Sequence, residues 1–105
     1  MSDEIGMVED YLRAQNLEQL GRTEEAIELY EDAVARGFDS MGPYDRLIHL
    51  YGGRAAHAEV VRVAESALAN VRTYEDKRKW YEMMRSAALK AAADLPKPVP
   101  RRGED

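Results

Sequence analysis

The chain has no cysteine, which excludes disulfide stapling, thiolate zinc sites and cysteine nucleophiles together. No apolar run approaches the roughly 18 to 20 residues that a bilayer-crossing helix needs. The opening Met1-Ser2-Asp3-Glu4 is acidic where a secretory signal would be basic, and together these features predict cytoplasmic residence and no membrane contact. Basic charge is also short: 15 Lys and Arg against 20 Asp and Glu give a formal net charge of -5. The dense cationic surface that a nucleic-acid partner requires is therefore not expected. The Val/Ile/Thr-rich alternation of β-strands is missing throughout. So are G-x-S-x-G, a phosphate-cradling glycine loop and H-E-x-x-H, so neither catalysis nor a cofactor nor a metal is expected.

What remains, 105 residues that are 33% charged and 45% apolar, suits one solvated, all-α domain. Glycines punctuate it at regular places. A first helix is expected from about Asp3 to Leu20, ending at Gly21, with Thr23 as N-cap of the next and Glu24 and Glu25 in its first turn. The second helix carries Ala26, Ile27, Tyr30, Ala33 and Val34 at helical spacing and stops at Gly37. Asp39 or Ser40 is expected to cap a third helix with Pro43 in its first turn and Tyr44, Leu47, Ile48 and Tyr51 on its apolar stripe. Gly52-Gly53 is expected to close it. A fourth helix follows from about Ala56 to Val71, with Val60, Val61, Val63, Ala64, Ala67 and Leu68 available for packing. Thr73 and Asp76 read as a capping box opening a fifth helix, over about 74–94, carried by Trp80, Met83, Met84, Ala87, Ala88 and Leu89. The proline-rich segment 96–105 reads as an extended tail.

The pattern repeats. A shift of 34 residues places Leu17 on Tyr51, Ile27 on Val61, Leu29 on Val63, Ala33 on Ala67, Val34 on Leu68 and Gly21 on Ala55. A two-helix unit of this size cannot bury its apolar stripe alone, so a second unit stacks on it and a last helix covers the end. This gives a domain over 1–95, with units at about 7–40 and 41–74 and a capping helix after them.

Leu17 to Phe38, LEQLGRTEEAIELYEDAVARGF, resembles the second half of a tetratricopeptide repeat, with Gly21 as the turn glycine, Ala26 and Ala33 as small interhelical residues and Tyr30 as the aromatic between them. The second unit keeps Tyr44, Leu47, Tyr51 and Ala67, but has Ala55 for the turn glycine, Val60 for a small residue and Ala64 for the aromatic. The first helix has Asp10 and Arg13 where that family usually places Trp or Leu. The resemblance implies antiparallel helical hairpins stacked as a short right-handed superhelix. Its concave groove would hold a peptide or helix of a partner protein, as in an adaptor or scaffold. The positions it turns towards the groove are Tyr11, Gln15 and Glu18 on the first helix, Asp45 and His49 on the third, and Lys79 and Met83 on the fifth. None of these on the first and third helices is the Lys, Arg or Asn with which chaperone-binding members hold a C-terminal carboxylate.

His49 and His57 are the only histidines, but Gly52-Gly53 lies between them and no further ligand spacing completes a metal site. Glu24, Glu25, Glu28, Glu31 and Asp32 read as a solvated helix face rather than acid–base machinery. Trp80 and Tyr81 are a second candidate contact, anchoring a partner or a second copy if the capping helix keeps apolar area in excess of its packing needs. Two rival functions follow: a self-associating structural subunit, or an RNA-binding helical repeat, since Gly37 to Leu50, with its Tyr-x-x-Leu-Ile, also resembles a pentatricopeptide repeat.

Overall fold

The computed structural model describes residues 2–73 and 75–94, with side chains from residue 6 onward; the tail expected over 96–105 lies outside the described residues. Five helices follow one another: α1 (Ser2–Gln19), α2 (Thr23–Ala35), α3 (Gly42–Gly53), α4 (His57–Asn70) and α5 (Glu75–Ala93). Among the described residues there is no strand, so the fold is all-α. No described helix is long and apolar enough to cross a membrane.

Periodicity decides which faces are buried. In α2, Ala26, Ile27, Tyr30, Ala33 and Val34 are buried, and in α3 Pro43, Tyr44, Leu47, Ile48 and Tyr51 are, each set forming one stripe of a 3.6-residue helix. In α4 the buried residues are Val60, Val63, Ala64 and Ala67, while Val61 and Leu68 pack at the margin. The stripe of α5 is rotated from the expected one. Tyr81 and Ala88 are buried, Trp80 and Met84 are partly covered, and Met83 and Leu89 are exposed. The reason is that Lys77, Tyr81, Met84 and Ala88 share one side at i, i+4, i+7 and i+11, and that side faces α4.

The joint after the first helix of each pair carries the repeat, while the joint after the second does not: α2 ends in a left-handed turn at Gly37, and α4 ends with Val71 extended. At the end of α1, Gly21 N–H donates to Glu18 O and Arg22 N–H to Leu17 O. At the end of α3, Ala55 N–H donates to Gly52 O and Ala56 N–H to Tyr51 O, the same two bonds displaced by 34 residues. The end of α2 has this form too, from Gly37 to Val34 and from Phe38 to Ala33. These are Schellman turns, which need a left-handed residue after the helix. Gly21 (φ 81°) and Gly37 (φ 70°) supply it, and Ala55 (φ 55°) does so with a Cβ.

The third helix ends at Gly53, as expected, and the left-handed reversal falls on Ala55, the position that the 34-residue shift pairs with Gly21. The two expected N-caps are not met. Thr23 is the first residue of α2 rather than its cap, and the flanking Arg22 makes no side-chain capping bond, since a guanidinium has no acceptor for the first-turn N–H groups and donates instead to Glu25. Neither Asp39 nor Ser40 caps α3. The flanking residue is Met41 in helical conformation, and the preceding loop is pinned instead by the Tyr44 hydroxyl donating to Phe38 O at 2.6 Å. At the start of α5, the Thr73 hydroxyl donates to Met41 Sδ at 3.7 Å.

An L-residue held in the left-handed region costs roughly 1 kcal/mol or more relative to glycine, before the extra chain entropy of glycine is subtracted. Ala55→Gly is therefore expected to stabilise the protein by about 0.5 kcal/mol, read as a higher urea midpoint with an unchanged slope. An unchanged or lower midpoint would show that Ala55 is not strained.

Each helix packs chiefly on its chain neighbours, and the contact of α1 with α2 is more extensive than that of α3 with α4. Val60 stands where the first hairpin has Ala26, and Ala64 where it has Tyr30. The first exchange puts a larger side chain, and the second a smaller one, at a buried position between the helices.

Candidate functional site

Three carboxylates join the helices, each accepting a tyrosine hydroxyl together with a cation. Glu18 of α1 accepts from the Tyr30 hydroxyl of α2 at 2.8 Å, and from Nε (3.1 Å) and Nη2 of Arg46 on α3. Glu31 of α2 accepts from the Tyr51 hydroxyl of α3 and from Arg62 Nη2 of α4 at 2.5 Å. Asp45 of α3 accepts from the Tyr81 hydroxyl at 2.8 Å and lies 2.8 Å from the Lys77 ammonium, both on α5. Bonds of this kind, with one partner ionised, are the stronger ones. The first and third sets connect the odd-numbered helices α1, α3 and α5 across two seams.

The electrostatics follow from these bonds. Arg46 holds the Glu18 carboxyl below the usual carboxylate range, with Tyr30 and His49 acting in the same sense and burial opposing them. Burial raises the Tyr81 phenol well above its ordinary value, and the hydrogen bond to Asp45 adds to this. Burial likewise raises Tyr30 and Tyr51, with Glu18 and Glu31 reinforcing it. All three phenols therefore stay protonated donors, as the carboxylates require.

Several of the positions expected to line a groove do meet along these seams. Tyr11, partly covered, lies so close to α3 that a Cβ on Gly42 would overlap its ring, and its hydroxyl accepts from Gln15 Nε2 at 3.0 Å. Gln15 and Glu18, with Gln19 and Arg46, line a hollow of about 300 Å³ at the α1/α3 seam. Asp45 lies at the α3/α5 seam, and His49 is exposed one helical turn along α3. Lys79 and Met83 project from the solvent side of α5, about half a turn around from Tyr81.

Tyr81, expected as a second contact beside Trp80, is instead fully buried and serves as a hydrogen-bonded core residue, because it sits on the side of α5 that meets α4 and α3. Trp80 is only partly covered; it packs edge-on to Tyr81, with centroids 5.3 Å apart, and the Lys77 ammonium lies 3.9 Å from its ring centroid. Sequence reasoning missed Arg46 and Lys77, whose roles depend on the neighbouring helix. A cation lies at the α1/α3 seam, but Arg46 is taken up by both oxygens of Glu18, so it is not free to clamp a carboxylate. The signal for Tyr81 was present: the same shift of 34 residues places it on Leu47, a buried position.

The two histidines lie on different helices, and among the described residues no three His, Asp or Glu side chains gather as a metal site would require. Comparison with protein-family models, curated proteins and solved structures gives no match for this chain.

Proposed function

We propose that this protein is a tetratricopeptide-like interaction module whose α1, α3 and α5 form the inner wall of a short right-handed superhelix. It binds a peptide or helix of another protein there, as a cytoplasmic adaptor or scaffold. The observation that carries the reading is the recurrence of one turn at Leu17–Arg22 and Tyr51–Ala56, 34 residues apart, with the same two backbone hydrogen bonds. Taken with the matching apolar positions, this recurrence supports two like hairpins, which in a stacked array would set like faces of α1 and α3 side by side. Those faces carry Tyr11, Gln15, Glu18, Asp45 and His49, a polar and partly open surface suited to adaptable hydrogen bonding rather than to a reaction.

The experiment is capture of partners from native cell extract on immobilised protein, comparing wild type, Gln15→Ala/His49→Ala in the groove, and Glu28→Ala on the exposed side of α2. A protein partner is expected to be retained by wild type and Glu28→Ala and lost from the groove variant. Retention by the groove variant would remove the groove from the interaction. Recovery of RNA alone, or of the chain alone, would move the function to one of the two rival classes.

A further inference from the structure

The Lys77 side chain occupies a seat built for a cation. Its ammonium lies 2.8 Å from Asp45 Oδ2, 3.9 Å from the centroid of the Trp80 ring and 5.3 Å from that of Tyr81. A carboxylate on one side and a π-face on the other is the arrangement that holds an ammonium or guanidinium group. The seat is not sealed. The Lys77 and Asp45 side chains keep 25% and 30% of their accessible surface, and beside them lies an open hollow of about 420 Å³ lined by Met41, Thr73, Asp76, Lys77 and Trp80. Met41 and Trp80 give the hollow an apolar wall, as the aliphatic stem of a lysine or arginine prefers. Asp76 adds a second carboxylate that forms no ion pair among the described residues.

We infer that this seat is where the interaction module takes a lysine or arginine side chain of a basic protein segment, which displaces Lys77. The inference rests on the interaction reading above and names the chemistry of the partner. Charge complementarity favours a basic segment. The chain carries -5 overall, and the seat itself presents two carboxylates, Asp45 and Asp76, with Lys77 the one cation paired there among the described residues. The exchange itself is electrostatically even. One cation leaves as another enters, so Asp45 is never left as an uncompensated, partly buried charge, which is the costly state. Lys77 is thus an internal competitor that sets a threshold on binding.

Trp80 is the only tryptophan, so its fluorescence reports on this seat. Titration with a blocked tetra-arginine peptide is expected to change that fluorescence saturably and less strongly as salt rises, whereas tetra-glutamate leaves it unchanged. Removing the competitor with Lys77→Ala should tighten tetra-arginine binding about two- to fivefold, the size of one exposed cation–π contact. Asp45→Asn should weaken binding by a similar factor or more; it retains an acceptor for the Tyr81 hydroxyl, and circular dichroism checks its fold. The absence of a saturable response to tetra-arginine, a response to tetra-glutamate instead, or unchanged or weaker binding by Lys77→Ala would each overturn the inference. If a protein partner is still captured through Gln15 and His49 in that case, the interaction reading stands and only the basic chemistry falls.

Discussion

Tyr81→Ala is expected to lower the melting temperature by roughly 20 °C, from a loss of about 3–5 kcal/mol. The ring is fully buried where α5 meets the rest of the domain, and its hydroxyl ties α5 to Asp45 of α3 at 2.8 Å. Truncation removes the ring, leaves a void that alanine cannot fill, and strips Asp45 of its neutral donor. A domain of this size commonly has about 5–15 kcal/mol in total, so the loss is a large share. Tyr81→Phe separates the two contributions. It keeps the ring and leaves Lys77 on Asp45, so the expected cost is only about 1 kcal/mol. Thermal unfolding followed by circular dichroism measures both. A melting temperature for Tyr81→Ala within a few degrees of wild type would show that α5 is not held by this ring.

Glu18→Ala is expected to cost about 2–3 kcal/mol, because it removes a bidentate ion pair and orphans a buried hydroxyl in one step. Tyr30 is fully buried and donates to Glu18; without that acceptor its O–H has lost water and gained nothing. The Glu18 side chain is only 18% exposed, so solvent screens the pair with Arg46 less than it would a surface pair. The effect also has a definite pH dependence. The folded-state pKa of Glu18 lies below its ordinary value, chiefly because Arg46 bonds to the ionised form. Its contribution is therefore complete above the ordinary carboxylate range and is lost as pH falls through the lowered folded value. Urea unfolding from neutral to acidic pH should show the gap between wild type and Glu18→Gln closing on acidification. A gap that widened instead would mean that the ionised carboxylate is not the stabilising form.

The number of helices and the cores of α2 and α3 were legible in the sequence because each follows from the apolar period and the breaks within one stretch of chain. Ala26, Ile27, Tyr30, Ala33 and Val34 stand on one stripe whatever they pack against. The face of α5 was not legible in that way, since Trp80, Met83 and Met84 offer apolar groups at competing angles and only the meeting with α4 selects among them. The carboxylate sets were hidden for a related reason. Glu18 and Arg46 are 28 residues apart, and Asp45 and Tyr81 36 apart, so no local pattern pairs them. Ala55 was legible only through the repeat: its composition marks no turn, but the 34-residue shift pairs it with Gly21, and the backbone reverses there.

The equivalence of the joints at Gly21 and Ala55 bears on how such a chain changes length. The backbone passes both points in the left-handed state and closes the same pair of bonds. The 34 residues from Arg22 to Ala55 therefore form a cassette that begins and ends at the same geometry. An extra copy spliced at Gly21 would enter α2 in register and leave α3 in register, and the new junction would still find its turn. Growth by unequal recombination needs no redesign at the splice, only new side chains on the face that meets the added unit.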